Sequence, residues 1–300
     1  MHTLTGHNQS VYALQPSSKT NIVFSAAGDG MVAQWDLERP ESGHLIAKLS
    51  NSIYALHYHQ ASNLLVLGHN YEGIHLLNWE ERRETGSLKL TSAAIFDIQS
   101  WGHFLFVATG DGEVCKVDCR TLNIVARVQA SGKSARTIAV NAGAGEIAVG
   151  YSDNYIRVFS ADDLALRYAW EAHNNSVFAV RYDREGRRLY SGSRDARLKA
   201  WDVFEGYVLQ QEVIAHLYAI NHLDLSPDGK HFVTCSMDRS VKVWEADELR
   251  LLKVIDKARH AGHGTSVNKI LWTSFHDQVL SASDDRTISV WNINFENQLP

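Results

Sequence analysis

The chain has 300 residues, 45% apolar and 21% charged, a balance that excludes fibrous and intrinsically disordered classes. Its formal charge of −5 gives no general attraction for nucleic acid, which needs clustered Lys and Arg to displace counterions. With only 4 prolines and no Ser/Gly/Pro-rich linker, disorder is expected only in the last few residues.

From the N-terminus onward, a short apolar strand, a turn acid and a second strand recur along the whole chain. The turn acids are Asp29, Glu72, Asp111, Asp153, Asp195, Asp238 and Asp285, separated by 43, 39, 42, 42, 43 and 47 residues. A period of about 40–45 residues is the length of one four-stranded propeller blade. The first unit carries His7, Ser25, Asp29 and Trp35. The second, third and fourth keep the acid but offer Gly68, Val107 and Val149 at the hydroxyl place, and Asn78, Val117 and Phe159 at the tryptophan place. The fifth restores the pattern with His173, Ser191, Asp195 and Trp201. The sixth repeats it with His216, Thr234, Asp238 and Trp244, and the seventh with His263, Ser281, Asp285 and Trp291. In these four units the hydroxyl follows the histidine by 18 residues and the tryptophan follows the hydroxyl by 10.

A histidine held between strands must satisfy both ring nitrogens once it leaves water. A carboxylate on one side and a hydroxyl on the other do so, and the indole N–H takes the remaining acceptor. Each bond is worth about 1 kcal/mol net, whereas an orphaned partner costs about 1–3 kcal/mol. The tetrads are therefore read as locks on strand spacing. A catalytic His-Ser-Asp reading is rejected, because catalysis gives no reason for four copies at fixed spacing. Units two to four, lacking the network, are expected to rest on apolar packing alone and to form the less rigid side of the molecule.

Gly6-His7, Trp35-Asp36 and Trp201-Asp202, with Trp244 and Trp291 in matching places and the Ser226-Pro227-Asp228-Gly229 turn, resemble the WD-repeat family over essentially the whole chain. The resemblance implies an all-β fold, a seven-bladed β-propeller of four-stranded antiparallel blades, occupying residues 1–300 as a single domain. The last unit would end on an unpaired sheet edge, a liability for aggregation. His2-Thr3-Leu4-Thr5 stands before His7 as Tyr168-Ala169-Trp170 stands before His173. Residues 1–5 are thus expected to supply the outer strand of the seventh blade and close the ring, and seven blades would leave no residues for an appended domain.

Each inner strand begins about four residues after the histidine, and its second residue falls near one mouth of the central channel. These residues are Tyr12, Tyr54, Phe96, Arg136, Phe178, Asn221 and Asn268. In proteins similar to this one, that position and the residue before the turn acid contact bound peptides. The second set is Gly28, Tyr71, Gly110, Ser152, Arg194, Met237 and Asp284. Together they give a mouth with five aromatics, two arginines and an acid, the residue types found at binding hot spots. Two readings stay open: the aromatics line a partner site, or they pack between blades. Small neighbours at Ser10, Ser52, Ala94, Ser134, Ser176, Ala219 and Ser266 favour an open mouth. The long loop Asp256–Gly262 is read either as a flap over the mouth or as a tolerated surface insertion.

Other features weigh less. The run from Arg181 to Lys199, with Arg184, Arg187, Arg188, Arg194 and Arg197, is read as a solvated basic face. His57, His59 and His69 could meet, but His57 and His59 fall near a strand end and are expected to face water; no metal site and no cofactor are expected. Cys115, Cys119 and Cys235 have no disulfide-framework spacing and fit a reducing compartment. With no signal-peptide pattern and no long apolar run, a cytoplasmic location and no membrane partner are expected. The expected function is a non-enzymatic scaffold that binds a protein or peptide at the channel mouth, with no nucleic acid and no obligatory homo-oligomer. The alternative is a small-molecule or enzymatic propeller that uses the channel.

Overall fold

A computed structural model describes residues 2–293 of the chain. These residues form seven four-stranded antiparallel sheets, each a meander in chain order except the last. Inner strands run Val11–Pro16, Ile53–His59, Ile95–Trp101, Ala135–Asn141, Val177–Tyr182, Ile220–Leu225 and Val267–Trp272 in blades one to seven. Contiguous inner strands pack on one another around the ring, and Val11–Pro16 meets Val267–Trp272 to complete it.

The seventh sheet is completed from the other end of the sequence. His2–Leu4 pairs antiparallel with Ile288–Asn292, with His2 opposite Val290, Thr3 opposite Ser289 and Leu4 opposite Ile288. Leu4 is buried, in one apolar cluster with Leu280 and Ile288 of blade seven and Val11 and Trp35 of blade one. Of the expected closing segment, Met1 lies outside the described residues, as do residues 294–300.

The core is divided among the blade interfaces. Seven apolar clusters each join two neighbouring blades, such as Phe24 and Val32 of blade one with Leu65 and Trp79 of blade two. Close approach is possible because one place in every second strand is small: Ala26, Gly68, Ala108, Gly150, Gly192, Cys235 and Ala282. A Cβ on Gly68 would stand 2.8 Å from Ile95 Cγ2, and one on Gly192 2.7 Å from Ile220 Cγ2. Such contacts fall well inside the van der Waals distance of about 3.5–4.0 Å, so a side chain there would push the next inner strand away.

Blade two corrects the sequence register by one residue. Leu65 pairs with Leu77 as Val23 pairs with Trp35, which puts Leu67 at the hydroxyl place and Leu77 at the tryptophan place. Gly68 and Asn78 each lie one residue further on. Tyr71, at φ +70°, takes the place of the turn acid, and Glu72 follows it. The turn here closes on His69 with a Glu72 N–H to His69 C=O bond of 3.2 Å, the counterpart of the 3.2 Å Gly30 N–H to Ala27 C=O bond in blade one. No helix among the described residues is long and apolar enough to cross a membrane.

Candidate functional site

The four tetrads have nearly superimposable bonding. In blade five, His173 Nδ1 lies 3.1 Å from Asp195 and Nε2 2.8 Å from Ser191 Oγ, to which Trp201 Nε1 donates at 2.9 Å. The corresponding distances are 2.9, 2.8 and 2.8 Å in blade six and 2.8, 2.9 and 2.9 Å in blade seven. Blade one has the same hydroxyl bonds at 2.7 and 2.8 Å, but its His7–Asp29 contact is longer, at 3.4 Å. One direction of donation satisfies every group: indole N–H to hydroxyl, hydroxyl O–H to Nε2, Nδ1–H to carboxylate.

That direction requires neutral rings. Burial lowers the pKa of His7, His173 and His216 against the opposing pull of their aspartates. For Asp195, burial opposes ionisation, but His173 and the backbone N–H groups of Asn174 and Arg197 outweigh it and hold the carboxyl down to about 2. Asp285 is likewise held down to about 2, by His263 and Thr287 against burial. The hydroxyls Ser25, Ser191, Thr234 and Ser281 are fully buried, so none of them can meet a substrate.

Blades three and four do not rest on apolar packing alone, contrary to the sequence expectation. Thr91 Oγ1 donates to Asp111 at 3.2 Å and Thr109 Oγ1 also donates to Asp111. Ser131, at the histidine place of blade four, donates to Asp153 at 2.7 Å, and Arg157 pairs with the same carboxylate at 2.8 Å. A hydroxyl thus replaces the imidazole as the turn acid's partner. Blade two has its own chain, in which His69 contacts Ser50 at 3.1 Å and His75 at 3.1 Å, and His75 contacts Glu84 at 3.2 Å.

The seven mouth residues share a backbone cause that the sequence did not display. Each sits at a β-bulge, where the inner strand holds one residue more than its neighbour: Tyr12 between Val11 and Ala13, Tyr54 between Ile53 and Ala55, and Phe96, Arg136, Phe178, Asn221 and Asn268 likewise. A bulge re-aims a side chain that would otherwise lie between sheets. All seven line one cavity of about 520 Å³ open to solvent. Tyr12 meets Tyr54 edge-on at 4.9 Å, Tyr54 stacks on Phe96 at 5.8 Å, and the Arg136 guanidinium lies 3.8 Å from the Phe96 ring and 4.8 Å from that of Phe178.

The second set of expected mouth residues does not converge in the same way. Tyr71 alone lines the cavity. Asp284 is occupied by a 2.7 Å bond from Asn268 Nδ2. Arg194 and Met237 lie on exposed turns of the same face. The serines beside the bulges act between blades: Ser52 Oγ donates to Gly28 C=O at 3.1 Å and Ser134 Oγ to Gly110 C=O at 2.8 Å.

Sequence reasoning missed Asp97, Thr137, His222 and Lys269, which also line the cavity and directly follow bulge residues. Below them lie Arg181 and Asp224, joined at 2.7 Å. The signal was a polar residue between apolar neighbours on a strand otherwise buried on both sides, as in Ile95-Phe96-Asp97-Ile98.

The WD domain, G-beta repeat family model matches residues 1–36, 165–202, 208–245 and 256–292, stretches that each end one residue past a tetrad tryptophan. The chain belongs to the WD-repeat β-propellers. The crystal structure of the WD40 β-propeller domain of Doa1 superposes with a TM-score of 0.84 over 98% of this chain and 96% of that one, at 18% identity. Among curated proteins, the 66 kDa stress protein of Physarum polycephalum is 24% identical over 97% of this chain and 47% of its own length. Actin-interacting protein 1 of Caenorhabditis elegans is 21% identical over 97% of this chain and 48% of its own. The propeller therefore spans about half the length of these relatives.

Other expectations are corrected by the propeller's geometry. His57 and His59 do not face water: they are 8% and 3% exposed, between blades two and three. His57 Nε2 lies 2.7 Å from Ser100 Oγ, and His59 Nε2 lies 2.8 Å from Gly102 C=O. Burial, with the nearby charges of His59 and Arg181, pushes the His57 pKa down to about 3. No group of three metal-ligating side chains occurs among the described residues. The basic run is not one solvated face. Arg181 is in the channel, while Arg187 pairs with Glu185, Arg188 with Asp247, and Arg197 and Lys199 with Glu212. In the long loop, Lys257–His260 forms one helical turn capped by Asp256, which accepts from Arg259 N–H at 2.8 Å, and none of it lines the cavity. All three cysteines are free and buried, and burial with Glu113 nearby pushes the Cys115 thiol up to about 12.

Proposed function

We propose that this chain is a non-enzymatic platform for protein interaction, acting in the cytoplasm, and that its bulge-lined mouth receives a segment of a protein partner. The observation that carries the reading is the convergence of seven bulge-directed side chains on one solvent-open cavity. Ring and cation–π contacts hold five of them, and hydrogen bonds hold Asn221 and Asn268, so little side-chain entropy remains to be lost on binding. The channel acids give little support to the enzymatic alternative. Asp97 accepts backbone N–H bonds from Ile98 and Ile138, and Asp224 accepts from Arg181 and from Trp272 N–H. Neither is free to act as a general base.

The test is affinity capture from the native cell with the wild type beside a Tyr12/Phe96/Phe178→Ala variant of equal thermal stability. Partners lost by the variant bind at the mouth. Survival of every partner would refute the assignment and move binding to the blade rims. The name of the Caenorhabditis elegans relative makes actin the first purified protein to test, by co-sedimentation with filaments.

A further inference from the structure

The charges in the channel do not balance. Arg136 and Lys269 line the cavity, and Arg181 lies below them, against the carboxylates of Asp97 and Asp224. Both carboxylates are already satisfied. Asp224 accepts from Arg181 at 2.7 Å and from Trp272 N–H at 2.9 Å. Asp97 Oδ1 accepts from Ile98 N–H at 2.9 Å and Gln99 Nε2 at 3.1 Å, and Oδ2 accepts from Ile138 N–H at 2.7 Å.

Arg136 has aromatic rings on its faces, and among the described residues no carboxylate lies within ion-pair distance of it. Lys269 likewise has no ion-pair partner among the described residues, although Asp97 and Asp224 act on it at longer range. His222 Nδ1, in the same lining, is buried without a hydrogen-bond partner. Burial pushes the Arg136 pKa down to about 10 and lowers that of Lys269, so each cation is held at a cost. An unpaired charge in a low-dielectric site attracts a counter-charge far more strongly than it would in water.

The rim shows what carries that counter-charge. Tyr71 on blade two is 54% exposed, and Leu217, Tyr218 and Met237 on blade six are 83%, 64% and 51% exposed. These groups stand on opposite sides of the opening, on turns and blade-to-blade loops of the same face. A free small anion would leave them in water, whereas a polypeptide crossing the mouth covers both.

We propose that the mouth takes an anionic side chain of a protein partner, a carboxylate or a phosphorylated residue, against Lys269 and Arg136. Flanking apolar residues of the partner rest on Tyr71 and on Leu217, Tyr218 and Met237. The inference rests on the mouth being a protein-binding site and names the chemistry that site selects.

The experiment is a bead-displayed library of short random peptides whose central residue is fixed as glutamate, phosphoserine, lysine or leucine, sorted on labelled protein. The wild type should enrich the glutamate or phosphoserine pools. The larger enrichment of the two tells an unmodified acidic segment from a phosphorylated one. Lys269→Met should weaken the selected peptides about 30-fold or more, the usual loss when one member of a desolvated charge pair is removed. Its melting temperature should be unchanged or higher, because a buried unpaired charge is gone. Lys269→Gln serves as a second variant should the methionine form fail to fold.

Enrichment of the lysine or leucine pool, abolished by Phe96→Ala, would overturn the anionic inference while leaving the protein-binding reading standing. No enrichment in any pool, or enrichment indifferent to Phe96→Ala, would overturn both. Free glutarate or inorganic phosphate binding as tightly as the selected peptides would overturn the assignment to a protein partner.

Discussion

Closure of the ring depends on three residues, and the cost of removing them can be worked from the packing. Leu4 is 1% exposed, opposite Ile288, and wedged between the blade-seven and blade-one sheets. Leu→Ala at a packed site costs about 2–5 kcal/mol. A three-residue edge strand can relax more than an interior one, which places Leu4→Ala near the lower end, at about 2–3 kcal/mol. At about 2 °C per kcal/mol for a chain of this size, the melting temperature should fall by about 5 °C. Deleting residues 1–5 should lower it further, because it also exposes the edge of Ile288–Asn292 to other chains. Differential scanning fluorimetry gives the melting temperature, and amide exchange at Ile288 and Val290 reports whether the edge has opened. Thr5→Ala, at an exposed position, is the control. An unchanged melting temperature in Leu4→Ala and in the truncated protein would refute the closure model.

Acid should destabilise the propeller through its buried neutral histidines. His57 is held near 3 in the fold against about 6.5 when unfolded, so its contribution is intact above pH 6.5 and falls away as pH drops below it. By pH 5 the loss from this one ring is about 2 kcal/mol, so His57→Asn should flatten the urea-measured stability between pH 7 and 5 by that amount; an unaltered slope would contradict the burial argument. Trp244→Phe removes the 2.8 Å indole donation to Thr234 while keeping most of the packing. It should cost about 1 kcal/mol in chemical denaturation, and a neutral result would show the tetrad bond to be dispensable. In native-state hydrogen exchange, strands Arg188–Ser193 and His231–Ser236 of tetrad blades should be slower than Leu64–His69 and Phe104–Thr109. Equal protection would mean that the hydroxyl–carboxylate links of the other blades suffice.

The architecture was legible because the tetrad imposes strict offsets. A histidine can reach a hydroxyl and a carboxylate across two strands only when the intervening turns have fixed lengths, so the offsets of 18 and 10 reappear wherever the network does. Where the network lapses, the anchor lapses too. In blade two, Tyr71 stands where the other turns carry an acid and Glu72 is the next residue, so the register is shifted by one from the register that Glu72 implies. The mouth was legible in part. Tyr12, Phe178, Asn221 and Asn268 could be placed by counting five residues from their histidines, but the bulge that turns them into the channel has no residue signature of its own. Asp97, His222 and Lys269 stayed hidden because an inner strand packed on both sides gives no simple alternation to read. Arg181 could not be told from its surface neighbours, since only the fold brings Asp224 to within 2.7 Å of it.

A rival surface exists at the opposite face. There, a groove of about 510 Å³ between blades four and five is lined by Asn141, Tyr168, Phe204 and Tyr207, with Phe204 76% exposed. Hydrogen–deuterium exchange of the chain, alone and with a captured partner, separates the two surfaces directly. Binding at the mouth predicts slowed exchange in segments 8–12, 50–54, 69–73, 92–96, 133–137 and 216–221. Protection confined to segments 142–146 and 202–208, with the mouth unchanged, would contradict it.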